Sequence, residues 1–252
     1  MANQYDARLA IDGEGPPLVL VPGINGTGDL FYRQIPRLKR SFRVATYSLR
    51  DDAADLGVLA GDLAQVIETV SPSDRRAIVV AESFGGAVAL TLALQYPQQV
   101  EALVILNSFP HFGSRLRLQL AIAGLSIMPW KAMPLLRHLT AFRLHSRRTR
   151  RADVHEFVRM TARSTRHGYI NRLKLLQFYD VRESLHTIRR PTLFLAAEQD
   201  HLVPSVAHAR YMTNRVPSSA MRVLEGHGHI CLIAPDLDLS EILDQWRRGW
   251  ND

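Results

Sequence analysis

Ser83 stands in the run Val80-Ala81-Glu82-Ser83-Phe84-Gly85-Gly86, directly after a strand-like apolar stretch and directly before a helix-like one. A serine at a sharp strand-to-helix turn presents its hydroxyl where the helix N-terminus favours developing negative charge, which suits a nucleophile. The turn needs small residues two before and two after the serine, and Ala81 and Gly85 meet that need, with alanine where glycine is usual. The plain alternative is a serine that merely caps the helix. A second segment, Val21-Pro22-Gly23-Ile24-Asn25-Gly26-Thr27-Gly28, follows another apolar run. A glycine turn there would aim the Ile24 N–H at the same point as the Phe84 N–H, forming an oxyanion hole. A dinucleotide loop is the rival reading. The glycines are spaced G-x-x-G-x-G, however, and the next strand ends in Tyr47-Ser48-Leu49-Arg50 without an acid at its tip. No Tyr-x-x-x-Lys occurs anywhere, so no cofactor is expected.

Two later loops supply the partners a serine nucleophile requires. Glu198-Gln199-Asp200-His201-Leu202-Val203-Pro204 offers Asp200 as the acid that holds a histidine's tautomer, with Glu198 as competitor and a turn or cap aspartate as the ordinary reading. Glu225-Gly226-His227-Gly228-His229-Ile230-Cys231 offers His227 and His229 as general base. Two histidines two apart also resemble a metal pair, but no neighbouring carboxylate or thiol cluster completes a site, and no metal is expected. Cys231 reads as a small buried hydrophobe. The order Ser83, Asp200, His229, each after a predicted strand, is one in which such triads occur along a chain.

These loops need a sheet to bring them together. Short all-apolar runs are predicted as strands at residues 18–21, 43–47, 77–80, 102–106, 191–196 and 220–224. Helical stretches alternate with them, at 56–70, 84–96, 206–213 and 239–250. Short apolar strands alternating with helices indicate a parallel sheet covered on both faces, so the fold class is α/β, doubly wound and mostly parallel. In such sheets ligands sit beyond the carboxyl ends of the strands, where all four loops fall. The alternation lapses after Phe109 and resumes near residue 190. The domain reading is a core of residues 1–109 and 190–252 with a helical cap at 110–189.

Charge marks the same division. From His111 to Arg190 there are 17 Lys and Arg against 4 Asp and Glu, whereas the rest carries 14 against 20, for a net +7. The cap's apolar residues (Leu118, Leu120, Ile122, Leu125, Ile127, Met128, Trp130) are candidate linings of an acyl pocket. Its cluster Arg147-Arg148-Thr149-Arg150-Arg151 is a candidate contact for an anionic substrate or lipid surface, although a solvated face is the favoured reading. No interleaved aromatic platform supports nucleic-acid binding. A single cysteine excludes an internal disulfide, and Met1 to Asp6 show no basic region leading into an apolar core. No apolar run reaches the roughly 20 residues of a membrane span, so the expected location is cytoplasmic. Oligomeric state is not legible.

With these residues in view, the chain resembles the α/β-hydrolase superfamily over nearly its whole length outside the cap. The resemblance rests on Pro22-Gly23, the turn at Ser83, Asp200 followed by Leu202-Val203-Pro204, and Gly228-His229. In that family the catalytic histidine commonly follows a glycine and precedes an apolar run ending near a proline. His229, with Ile230 to Pro235 behind it, fits this better than His227. The family's frequent His-Gly oxyanion turn appears as Pro22-Gly23, which leaves the donor open. The resemblance implies hydrolysis of an ester or related acyl bond without a cofactor, and the leading reading is a carboxylesterase or lipase-like hydrolase acting on the ester of a small to medium apolar acyl group. Acyl transfer, C–C bond hydrolysis, perhydrolysis and cyanohydrin cleavage use the same triad, and a non-catalytic receptor on this fold is a further alternative. Serine rather than aspartate at position 83 argues against dehalogenase and epoxide hydrolase chemistry.

Overall fold

The computed structural model describes residues 9–144, 146 and 149–249. Met1–Asp6, Arg147, Arg148 and Trp250, on which expectations above bear, lie outside them. The core begins with β1 (Ala10–Asp12), β2 (Pro17–Val21), the short α1 (Ile35–Leu38) and β3 (Arg43–Thr46). It continues with α2 (Leu56–Val70), β4 (Ala77–Glu82), α3 (Phe84–Gln95) and β5 (Val100–Leu106). Four helices follow: α4 (Arg115–Ile127), α5 (Met133–Leu144), α6 (Arg151–Thr161) and α7 (Arg166–Leu175). Then come β6 (Thr192–Ala197), α8 (Ser205–Thr213), β7 (Ser219–Leu224) and α9 (Leu239–Arg248).

The seven strands form one sheet in the order β1-β3-β2-β4-β5-β6-β7, parallel throughout except for β1, which pairs antiparallel with β3. Sequence reading missed β1, and its reason is physical: the strand is short, at the edge and exposed, so no apolar run marks it. The central strands β4 and β6 are buried at every position, as parallel strands covered on both sides must be. Their side chains alternate between two cores. Val19, Val21, Val79 and Ala81 join the layer under α2 and α3, whereas Leu18, Leu20, Ile78 and Val80 meet Leu239, Ile242 and Leu243 of α9 on the other face. Residues 239, 242, 243 and 246 share one stripe of α9 because the helix turns once in about 3.6 residues.

Register decides where the loops emerge. Val21 pairs with Ala81, Glu82 with Leu106 and Ala197 with Leu224. The carboxyl ends of β2, β4, β5, β6 and β7 therefore lie along one edge, and the segments after them converge above it. The helices α4 to α7 intervene between β5 and β6, and they are joined to the sheet end by particular contacts. The Ile230 N–H donates to Leu144 O at 2.7 Å, and Phe157 packs with Leu30, Ile230 and Ile233 in a small satellite core.

Candidate active site

The backbone at Ser83 has φ 53° and ψ −119°, a region that a non-glycine residue enters at a cost of about 1–3 kcal/mol. Surrounding structure enforces it: the Ser83 N–H donates to Leu106 O at 2.9 Å, and the next residue opens the buried α3. A Cβ at Gly85 would lie 2.6 Å from Val21 O and 2.7 Å from Pro22 O, so the turn requires glycine two residues after the serine. Ser83 occupies the N-cap position of α3, yet its side chain makes no capping bond. The capping reading of this serine is thereby set aside. Its hydroxyl is aimed instead at an imidazole, with Ser83 Oγ and His229 Nε2 2.9 Å apart.

His229 Nδ1 lies 2.6 Å from Asp200 Oδ2, the geometry of an Nδ1–H donor on a carboxylate, which leaves Nε2 as the acceptor for the serine proton. Asp200 is itself held. Its Oδ1 accepts from Leu202 N at 2.9 Å and Val203 N at 3.0 Å, and its Oδ2 from the Ser205 hydroxyl. The Asp-x-Leu-Val-Pro run of the sequence is thus a turn that fixes the carboxylate just before α8 starts. Burial opposes ionisation of Asp200, but its bonds to His229, Ser205 and the Val203 N–H outweigh it and hold the carboxyl below its ordinary range. For His229 burial likewise disfavours the charged form. The hydrogen bond and charge of Asp200, with the charge of Glu82, more than offset that and raise its pKa.

The competing candidates lie elsewhere. His227 Nδ1 pairs with Ser146 Oγ at 2.8 Å, and its Nε2 lies 3.7 Å from Asp236. Glu198 accepts from Gly226 N at 2.8 Å, bracing the histidine loop from its exposed side. Cys231 is buried, as expected, and burial pushes its thiol pKa up.

The turn after β2 closes with Gly26 N donating to Gly23 O at 2.9 Å. It is clamped by Arg172 of α7, which donates to Ile24 O at 2.9 Å and Asn25 O at 3.2 Å and pairs with Asp51 at 3.0 Å. Gly26, at φ +77°, leaves the space that this guanidinium fills. The N–H groups of Ile24 and Phe84 have no acceptor among the described residues, and Ile24 borders the same cavity as Ser83. Phe84 opens α3, so its N–H is one of the helix's unpaired first donors.

Three residues that sequence reasoning passed over belong to this site. Asn107, at φ 49°, donates from Nδ2 to His229 O at 2.8 Å and accepts from Ala197 N at 2.7 Å. It ties the ends of β5 and β6 to the histidine loop, and its signal was a polar residue directly after an all-apolar strand. Glu82 is buried with Oε1 3.8 Å from His229 Nε2; burial raises its pKa to about 7, and a bond from the Gly23 N–H works against that rise. Arg172 carried no local signal, because its partners lie more than a hundred residues away.

Above the serine is a cavity of about 530 Å³. Leu30, Leu125, Met128, Met133 and Phe157 are among its mainly apolar walls, and Asn25, Glu82, Arg137 and Tyr169 are its polar points beside Ser83 and His229. A hydroxyl–imidazole pair under such a chamber suits an apolar group held against that hydroxyl.

The chain belongs to the α/β-hydrolase fold family, whose model matches residues 16–234, and it is a hydrolase. Among named relatives it is similar to a protein called "Putative carbamate hydrolase RutD" from Agrobacterium fabrum, at 24% identity over 95% of this chain and 96% of that protein. Its fold resembles the enol-lactonase of Burkholderia xenovorans LB400 (TM-score 0.84, 20% identity, 97% and 99% of the two chains). The thermophilic esterase of Thermogutta terrifontis is alike to the same degree (TM-score 0.84, 20% identity, 96% and 92%).

Proposed function

We propose that this hydrolase is a serine esterase acting on carboxylic esters of small to medium apolar acyl groups. The observation that carries the reading is the relay of 2.9 Å from Ser83 to His229 and 2.6 Å from His229 to Asp200, placed under an apolar chamber. His229 Nε2 takes the Ser83 proton as Oγ attacks the ester carbonyl, and the Ile24 and Phe84 N–H groups stabilise the oxyanion. The imidazolium, held by Asp200, gives its proton to the leaving alkoxide, and an acyl-serine remains. Water then attacks, giving a proton to His229, and the acid departs with Ser83 regenerated. The inserted helices α4 to α7 act as the cap, lining the acyl site with Leu125, Met128 and Met133.

A series of p-nitrophenyl esters of graded chain length tests this directly. The expected result is a maximum in kcat/KM at short to medium acyl length, together with labelling of Ser83 by a fluorophosphonate. Labelling without turnover of any ester would point to another acyl reaction on the same triad. No labelling would point to a receptor.

Similarity to the relatives named for carbamate hydrolysis supports a second reading, since the same attack cleaves a carbamate. The apolar walls favour the ester over a small polar carbamate. Comparing kcat/KM for the two substrate types at equal size distinguishes them.

A further inference from the structure

Among the exposed large apolar residues, six stand on two consecutive helices, Leu136 of α5 being the least exposed of them at 39%. Leu116, Leu120 and Ile127 of α4 and Leu135 and Leu139 of α5 are each 60–84% exposed. On α4 they recur at steps of four and seven, and on α5 at a step of four, so each set forms one stripe along its helix. The opposite stripes face inward: Leu118 of α4, and Met133 and Arg137 of α5, are buried. These helices therefore carry apolar side chains on both faces, one packed against the core or the cavity and one turned to solvent. Isolated exposed leucines need no explanation, but a grouped set on adjoining helices marks a contact surface.

Two observations say what covers it. The first is charge. Between His111 and Ala152 the sequence holds nine Lys and Arg and no Asp or Glu, and Arg115, Arg117, Lys131, Arg150 and Arg151 are exposed. A second copy of this chain would bring like charge onto like charge, whereas an anionic surface neutralises it. The second is continuity. Leu120 and Leu136 are both exposed and line the cavity over Ser83, as does Leu202 from the loop after β6, so the exposed apolar residues reach the rim of the chamber. No helix among the described residues is long and apolar enough to cross a membrane, so contact is made by lying on a bilayer.

We infer that α4 and α5 dock the protein on an anionic lipid bilayer, their leucines entering the headgroup boundary and their arginines pairing with lipid phosphates. The inference deepens the esterase reading by making lipid-borne acyl esters the substrate class, because a chain leaving the bilayer would meet apolar residues at the rim of the chamber over Ser83. Binding itself does not depend on catalysis.

Co-sedimentation of the full chain with phosphatidylglycerol vesicles, with phosphatidylcholine vesicles as control, tests it. Binding is expected to the anionic vesicles alone and should weaken as salt rises, because salt screens the arginines. L116Q/I127Q should weaken the partition by at least about tenfold, since two large side chains lose their burial. Its turnover of a water-soluble short-chain ester should remain unchanged, which also shows that it is folded. R115Q/R117Q should reduce the salt dependence and keep the same turnover. No binding to phosphatidylglycerol, or equal binding to both lipids, overturns the proposal. So does a dimer in analytical ultracentrifugation that L116Q/I127Q dissolves, which would place a second copy on this face. If vesicles bind but no ester is cleaved, the esterase reading fails and the docking surface stands.

Discussion

The carboxyl edge of the sheet and the helices that overhang it treat their side chains in opposite ways. At the sheet edge, His229 lies within 2.9 Å of both Ser83 and Asp200, backbone N–H groups hold Asp200 within 3.0 Å, and Asn107 ties two strand ends to the histidine loop. On the overhanging side, α4 buries only Leu118 completely and turns leucines outward. A reacting centre needs atoms fixed to fractions of an ångström, and parallel strands with buried neighbours supply that stiffness. A surface proposed to receive substrate needs complementarity to what lands on it, and apolar side chains turned outward offer it. Between the two regions stands Arg172, rooted in α7 and bonded to the turn that carries Ile24.

The sharpest test of the rigid half is removal of the atoms proposed to react. S83A and H229A are each expected to lower kcat by about ten-thousand-fold or more while the melting temperature changes little, as measured by steady-state kinetics and thermal unfolding. Substantial residual esterase turnover in either variant would move the chemistry elsewhere. R172A tests the junction. Loss of the clamp on Ile24 and Asn25 should lower kcat by about 10- to 100-fold with a smaller change in KM, because the oxyanion acquires its charge only in the transition state. A change confined to KM would instead place Arg172 with the substrate-receiving surface.

Smaller still is the effect of E82Q, read as a pH profile. His229 must be neutral to accept the proton, so kcat/KM falls as pH drops through its raised pKa. Glu82 contributes negative charge once pH passes its own pKa of about 7. Removing that charge makes the imidazolium less favourable, and the acid limb should shift to lower pH. An unmoved limb would show that the carboxyl is neutral wherever His229 titrates. The least effect on catalysis is expected from H227A, within about threefold of the native kcat. It should cost about 1–2 kcal/mol of stability through the lost bond to Ser146, read by denaturant unfolding. A dead H227A beside a live H229A would invert the site.

Legibility followed the same divide. The strands β2, β4, β5 and β6 were plain in the sequence because burial on both faces leaves uninterrupted apolar runs. The strand β1 was not, since an exposed edge imposes no such pattern. Ser83 and its small neighbours were legible because a sharp turn restricts residue type locally. Asn107, Glu82 and Arg172 were not, because each is defined by partners from distant segments. Of the α4 residues read as pocket lining, Leu120, Leu125 and Met128 border the cavity whereas Leu118 is buried in the core and Ile127 faces outward, for apolar residues on two faces of one helix cannot be sorted by periodicity when the helix is so little buried.

The amino-acid order alone determined a doubly wound sheet, an interruption between its two halves, and the chemical types placed at each strand end, because backbone periodicity and turn sterics act over a few neighbouring residues. Which histidine meets the serine, which acid supports it and which leucines face water were decided only when the chain closed. Those outcomes depend on strand register and on the angle at which helices pack, and both are properties of long-range contacts.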